Sequence, residues 1–348
     1  MEEPIKTRIL IISDTHGAPL VKEHGRKDPF APFEKPLPKA DVLIHCGDMT
    51  TTGGITQYHD TLDMLKQIDA TAKFVTAGNH DLSLDKDYTL SHAQSEDMTY
   101  EEATALTTRA HDLWISPTGR AKREGVTYLE EGVHVHSLPN GATMSICASP
   151  YTPEFCDWGF PYDRDDDRFN GEGTKLSDAA TVTSQPIPAP SETPIDVFVT
   201  HGPPYGRRDR TQDGMLVGCP HLLRAAMRAR PMLHCFGHIH EGWGAERVSW
   251  SPSADTVTKS PCTIRQWTKE AAWKAGVANN GEGISKIKTD RDEAEQDHAV
   301  FVDASRTGKP IQRGTETLMV NASIMNVRYR PINAPWVIDI DLPRAKAA

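Results

Sequence analysis

Five short apolar runs in this chain each break off into polar, potentially reactive residues, and that repeated ending constrains the fold more than any other feature. Arg8-Ile-Leu-Ile-Ile-Ser13 leads into Asp14-Thr-His16, and Asp41-Val-Leu-Ile-His-Cys46 into Gly47-Asp48. Ala72-Lys-Phe-Val-Thr-Ala77 leads into Gly78-Asn79-His80-Asp81. Further on, Asp196-Val-Phe-Val-Thr200 precedes His201-Gly-Pro-Pro, and Met232-Leu-His-Cys-Phe236 precedes Gly237-His238-Ile-His240. Short β-branched runs bounded by Gly, Pro and Asp read as buried strands. Near-helical spacing of Ile55, Leu62, Leu65 and Ile68 predicts a helix over Ile55–Ile68, and Thr99 with an acidic first turn predicts another over Thr99–Leu113. Strand alternating with helix argues for a parallel α/β sheet, in which ligands gather at the carboxyl ends of the strands. All five polar clusters lie at that end, so the fold itself brings them together.

The remaining chain changes character. Val126–His136, Thr143–Ala148 and Ala245–Trp250 read as antiparallel strands, and strand character returns at Thr317–Ala322, Asn326–Tyr329 and Trp336–Ile340. Residues 163–194 and 251–315 read as surface insertions in a single domain spanning 1–348. The first is rich in Asp, Pro, Ser, Thr and Gly, and its Asp165-Asp166-Asp167 run reads as solvated loop. The second is polar and weakly periodic, with a short helix expected around Trp267–Ala275.

The clusters offer three carboxylates (Asp14, Asp48, Asp81), one carboxamide (Asn79) and five imidazoles (His16, His80, His201, His238, His240). Mixed nitrogen and carboxylate donors suit Mn, Fe, Zn or Co better than Ca or Mg, which prefer oxygen alone. The i, i+2 pairs Asp14/His16 and His238/His240 share one face of an extended strand, and a turn at the strand end can divide such a pair between two metals. Gly47, Gly78 and Gly237 stand immediately before these residues, where a close backbone turn needs no Cβ. Each piece alone reads as an ordinary turn; five in one order, each after a strand, do not.

That ordered string resembles the calcineurin-like metallophosphoesterase superfamily. Ser149-Pro-Tyr-Thr-Pro-Glu-Phe-Cys-Asp-Trp-Gly-Phe160, Thr200-His-Gly-Pro-Pro204, Val217-Gly-Cys-Pro-His-Leu-Leu223, Gly237-His-Ile-His-Glu-Gly-Trp-Gly244 and Val320-Asn-Ala-Ser323 are similar to its metallophosphoesterase-domain-containing branch. The resemblance implies a four-layer α/β/β/α sandwich of two mixed sheets. It also implies two divalent metals (Mn, Fe, Zn or Co, with Mn favoured): one held by Asp14, His16 and His240, the other by Asn79, His201 and His238, and Asp48 between them. His80 would give a proton to the leaving group, with a metal-bridging hydroxide attacking in line. The implied substrate is a small phosphodiester such as a cyclic nucleotide. A phosphomonoesterase or protein phosphatase using the same site, and a metal-binding scaffold without turnover, stay open.

One departure bears on substrate. Protein phosphatases of this superfamily carry Gly-Asp-x-Val-Asp-Arg-Gly, and here the stretch is Gly47-Asp-Met-Thr-Thr-Thr-Gly53. Thr51 replaces the Asp that orients the catalytic His, which leaves Asp81 and Asp85 as candidates for that task. Asn79, His80 and Arg207 are the expected substrate contacts, with Arg207, Arg208 and Arg210 otherwise reading as solvated surface. Trp158, Phe160, Tyr205 and Trp243 read either as stacking partners near the cleft or as packing, and Asn321 as a support for the Gly-His-x-His loop. His45, His134, His136, His221 and His234 read as structural.

Net charge −10 and a pI of about 5.8 argue against a nucleic acid polymer as partner. Six scattered cysteines without a CxxC pair read as reduced thiols. The opening residues carry no basic stretch followed by an apolar one, and no apolar run reaches about 18 residues. These features predict a cytoplasmic protein without membrane contact.

Overall fold

The computed structural model describes residues 3–20, 32–175, 179–250 and 283–345. Strand Ile5–Ile12 (β1) shows how the layers arise. Ile9 and Ile11 point into one buried cluster, while Leu10 and Ile12 point into another. A strand apolar on both faces must be covered on both, because successive side chains alternate. Strands Ala40–His45 (β2) and Ala70–Val75 (β3) repeat the pattern, with Val42, Ile44 and Phe74 on one side and Leu43 and Val75 on the other.

Next in the chain come Val126–Tyr128 (β4), Gly132–Ser137 (β5) and Thr143–Ser149 (β6). Two small parallel pairs follow, Thr152–Pro153 (β7) with Pro161–Tyr162 (β8) and Asp166–Asp167 (β9) with Thr181–Val182 (β10). The later strands are Val197–Thr200 (β11), Leu233–Phe236 (β12), Gly244–Ser249 (β13), Ile284–Lys286 (β14), Val300–Asp303 (β15), Glu316–Asn321 (β16) and Trp336–Leu342 (β17). They form two large mixed sheets, ordered β15-β17-β1-β2-β3-β4 and β14-β13-β16-β12-β11-β6-β5. In the first, β1 to β4 run parallel and β17 lies antiparallel to β1. In the second, β6, β11, β12 and β16 run parallel, with β5 and β13 antiparallel to their neighbours.

Ile9, Val42, Ile146, Val199, Leu233, Val320 and Ile338 fill the space between the sheets. On the far side of the first sheet, helices Ile55–Lys66 (α1) and Tyr100–Trp114 (α3) cover Leu10, Leu43 and Val75 with Tyr58, Leu62, Leu65 and Trp114. On the far side of the second, helix Pro220–Ala229 (α4) covers Phe198, Phe236 and Met319 with Leu222, Leu223 and Met227. The result is the α/β/β/α order the resemblance implies. Helix α3 begins at a capping box: Thr99 accepts from the Glu102 amide at 3.1 Å, and Glu102 accepts from the Thr99 amide at 2.8 Å. Such a cap stabilises a helix by about 1 kcal/mol.

Several local expectations are corrected. Val126–His136 divides at Leu129, giving β4 to the first sheet in parallel and β5 to the second. Asn326–Tyr329 is a turn, closed when Asn326 Oδ1 accepts from the amides of Arg328 (2.9 Å) and Arg330 (3.1 Å). Asp167 is 1% exposed, not solvated. It accepts from the amides of Phe169 and Asn170 and stands 3.2 Å from His221. The segment around it docks on α4, where Arg228 donates to the carbonyls of Ile187 and Phe169. Likewise 283–315 gives β14 to one sheet and β15 to the other. The helix expected at Trp267–Ala275, and Cys262, lie outside the described residues. The five described cysteines are free, and no helix among the described residues is long and apolar enough to cross a membrane.

Candidate metal centre

Parallel strands deliver the polar clusters to one rim. β1, β2 and β3 end in Asp14/His16, Asp48 and Asn79/His80; β11 and β12 of the facing sheet end in His201 and His238/His240. The chain turns sharply there. Asp14, His16, Asp48 and His238 all have positive φ (53°, 43°, 54° and 65°), a region costly for residues with a Cβ. The preceding glycines make room. A Cβ on Gly237 would lie 2.0 Å from Asp14 Oδ2, and one on Gly78 would lie 2.4 Å from Asp48 Oδ1.

Three donor groups result: Asp14, His16 and His240; Asp48, His201 and His238; and His16, Asp48 and His80, the donor atoms of each within 4.8 Å of one another. Asp48 stands between the two sheets' histidines, with Oδ2 3.6 Å from His16 Nε2 and Oδ1 3.3 Å from His201 Nε2. Asp14 Oδ1 is 3.4 Å from His240 Nε2, and Asn79 Oδ1 is 2.9 Å from His201 Nε2.

Main-chain carbonyls set the tautomers. His16, His201 and His240 each place Nδ1 on one: Thr50 at 3.0 Å, Cys46 at 3.0 Å and Asn326 at 3.1 Å. A carbonyl only accepts, so each Nδ1 carries a proton and Nε2 is the nitrogen left to meet a cation. His16 and His240 bring their Nε2 atoms within 3.4 Å. Two lone pairs facing each other, with carboxylates beside them, fit a cation. Burial opposes charge on His201, yet the Asp48 and Asp14 carboxylates outweigh it and raise its pKa to about 9. Burial, with the positive field of His201, lowers His238 to about 3. Asp48 is fully desolvated, but His201 and His16 hold it ionised, well below the usual carboxylate range.

His80 is positioned differently. Its amide donates to Asp48 Oδ1 at 2.8 Å and its Nδ1 to the Thr51 carbonyl at 2.9 Å. Trp158 lies against its ring at 3.9 Å between centroids, with the planes tilted by 31°. Neither acidic candidate orients it. Asp81 accepts from the amides of Gly78, Met49 and Thr50 and from the Thr50 hydroxyl, tying the Asp48 and Asn79 loops together. Asp85 caps helix Lys86–Ser91 (α2) and accepts from the Phe160 amide. Thr51 therefore serves His80 through its backbone, a contact no side-chain pattern reveals.

Other candidates fall elsewhere. Arg207 is 4% exposed, with its guanidinium on the Gly206 carbonyl and 3.8 Å from Glu246, a placement that argues against phosphate contact. Arg208 is similarly held, by the Ala245 carbonyl and Glu246. Phe160 and Tyr205 are buried, and Trp243 donates to the Ala334 carbonyl and packs on Trp336. Asn321 donates to the carbonyls of Ile239 and Arg208, bracing the Gly-His-x-His loop. Ser323, the last residue of the Val320-Asn-Ala-Ser323 segment, donates to Asp14 Oδ2 at 2.9 Å, and Tyr329, which lies against His16 at 4.8 Å between centroids, joins the site without a sequence signal of its own.

Carboxylate and histidine donor sets with Asp48 between the histidines of the two sheets, at the strand ends of an α/β/β/α sandwich, define a metal-dependent phosphoesterase. Residues 7–242 match the calcineurin-like phosphoesterase family, and the chain belongs to it. It is 29% identical over 263 residues to human metallophosphoesterase domain-containing protein 1, covering 75% of this chain and 68% of that protein. It is 32% identical over 246 residues to an Emericella nidulans protein named "Probable rhamnogalacturonate lyase C", covering 70% of this chain but 18% of that one. A UPF0046 protein of Caenorhabditis elegans is 30% identical over 210 residues, covering 60% of this chain and 48% of that protein.

Proposed function

We propose that the protein is a phosphodiesterase acting on a small diester, with cyclic nucleotides as the first class to test. The carrying observation is Asp48, whose two oxygens face His16 of one donor set and His201 of the other. Asp14, His16 and His240 would hold one divalent ion and Asn79, His201 and His238 a second, with Asp48 shared. Imidazole nitrogen mixed with carboxylate oxygen favours Mn, Fe, Zn or Co, and Mn first. When bound, such ions supply Lewis acidity and a nucleophile at neutral pH. The chain's own part is orientation and proton transfer. Carbonyls of Thr50, Cys46 and Asn326 fix three imidazoles, and the Thr51 carbonyl holds His80 by Nδ1, so that Nε2 faces the site. In the imidazolium form, with a second proton taken up from solvent, His80 can pass the Nε2 proton to a departing alkoxide.

Substrate size follows from charge. A net charge of −10 disfavours long polyanions, and Thr51 in place of an acidic side chain disfavours phosphoproteins. Free cysteines suit a reducing compartment, the cytoplasm. The test is a panel of 2′,3′- and 3′,5′-cyclic nucleotides and bis-p-nitrophenyl phosphate, set against p-nitrophenyl phosphate and a phosphopeptide, with Mn²⁺ added. Diester turnover abolished by Asp48→Ala and Asn79→Ala is expected. Monoester turnover with none on any diester would overturn the proposal.

A further inference from the structure

The turn that carries Tyr329 is built more elaborately than the fold requires. Asn326 closes it with both its main chain and its side chain, and Asn333 Nδ2 braces its root by donating to the carbonyls of Ser323 and Met325. The same turn reaches the metal centre, because the Asn326 carbonyl accepts from His240 Nδ1. At its tip Tyr329 adopts φ +53°, a left-handed conformation that costs a residue with a Cβ about 1 kcal/mol or more. What this backbone achieves is the placement of one ring. The Tyr329 ring centroid lies 4.8 Å from that of His16, 5.6 Å from His240 and 6.3 Å from His80, each in an edge-on arrangement.

The ring is not there to fill a core. Tyr329 is 50% exposed, and the hydrogen bonds that close its turn come from Asn326 and Asn333. On either side stand Arg328 and Arg330, both exposed, whose guanidinium groups pair with no described residue. A half-exposed aromatic ring, flanked by cationic residues and held against three imidazoles of the site, is suited to a planar group esterified to a phosphate.

We propose that Tyr329 is a specificity-determining residue, packing against an aromatic group on the substrate and so favouring aryl or nucleobase esters over alkyl ones. This rests on the reading of the site as a phosphoester site. It does not depend on diester rather than monoester turnover. The probes are therefore phenylphosphonate and methylphosphonate, which share a headgroup, differ by the ring and are not hydrolysed at a P–O ester bond. Binding of each to Mn²⁺-loaded full-length protein is measured by calorimetry, for wild type, Tyr329→Ala and Tyr329→Phe.

Wild type should bind phenylphosphonate about tenfold more tightly, the scale of one aromatic pair. Tyr329→Ala should lose most of that preference, with methylphosphonate affinity unchanged within about twofold, and Tyr329→Phe should retain it. Equal weakening of both ligands would mean that Tyr329 only supports the His240 turn, and would overturn the proposal. An unchanged preference in Tyr329→Ala would overturn it as well. If neither ligand binds wild type, the phosphoester site itself fails; if both bind but no diester is turned over, only the diesterase reading fails.

Discussion

His16 and His240 face each other with their Nε2 atoms 3.4 Å apart, and each has its Nδ1 committed to a main-chain carbonyl. Neither nitrogen can satisfy the other without a proton or a cation between them. The backbone that fixes their tautomers thus prepares the rim of the sheets for metal.

Metal binding should release protons. In chelator-treated protein His201 keeps its proton up to about pH 9, because the Asp48 and Asp14 carboxylates outweigh the cost of burial. A cation at Nε2 must displace that proton, so apparent affinity should rise with pH up to about 9. Mn²⁺ titrations in buffers of different ionisation heat should show close to one proton released at pH 7.5. No buffer dependence would contradict this account of His201.

Gly78→Ala should fold but bind metal about 10–100-fold more weakly, the usual cost of disturbing the support of a metal ligand. The added Cβ would lie 2.4 Å from Asp48 N and 2.6 Å from His201 Cε1, so the shared carboxylate must move. Metal content after dialysis checks this. Gly125→Ala is the control, since no atom lies within 4 Å of its Cβ position, although its φ of +75° adds strain.

Thr51→Ala should leave kcat within about twofold of wild type, because His80 is held by the Thr51 carbonyl and not by its hydroxyl. His80→Ala should lower kcat by about 10²–10⁴-fold, the range for a lost general acid. A Thr51→Ala loss comparable to that of His80→Ala would show that the hydroxyl takes part.

Acid stability carries the signature of His234. This imidazole is bonded to Thr200 Oγ1 at 2.9 Å, and burial lowers its pKa to about 3. An unfolded His titrates near ~6.5, so the unfolded chain takes up the proton first. Its contribution is complete above that pH and is lost as pH falls toward 3. Urea unfolding between pH 7 and 4 should therefore show a shallower acid loss in His234→Gln, by up to about 1.4 kcal/mol per pH unit. Parallel curves for the two proteins would contradict the assignment.

What the sequence disclosed follows from what is periodic or local. The strand-end clusters were legible because β-branched runs alternate faces and stop at Gly and Asp, and Thr99 with Glu102 announced its own helix start. Asn326–Tyr329 misled, since Val327 and Tyr329 have strand-like composition while the Asn326 side chain closes a turn. Asp167 misled because His221, from the distant helix Pro220–Ala229, joins the local turn bonds from Phe169 and Asn170 in burying a carboxylate that looks solvated in isolation. The orientation of His80 could not be read at all: a backbone carbonyl is present at every residue, and only the fold says which one is used.

Asp48 is proposed to be shared between two bound cations. Metal analysis of wild type and Asp48→Asn, both purified without chelator and supplied with Mn²⁺, tests it most directly. Two equivalents of divalent transition metal per chain in wild type, falling to one or fewer in Asp48→Asn with turnover lost, is the predicted result. Fewer than one equivalent in catalytically active wild type, or two retained in Asp48→Asn, would contradict it.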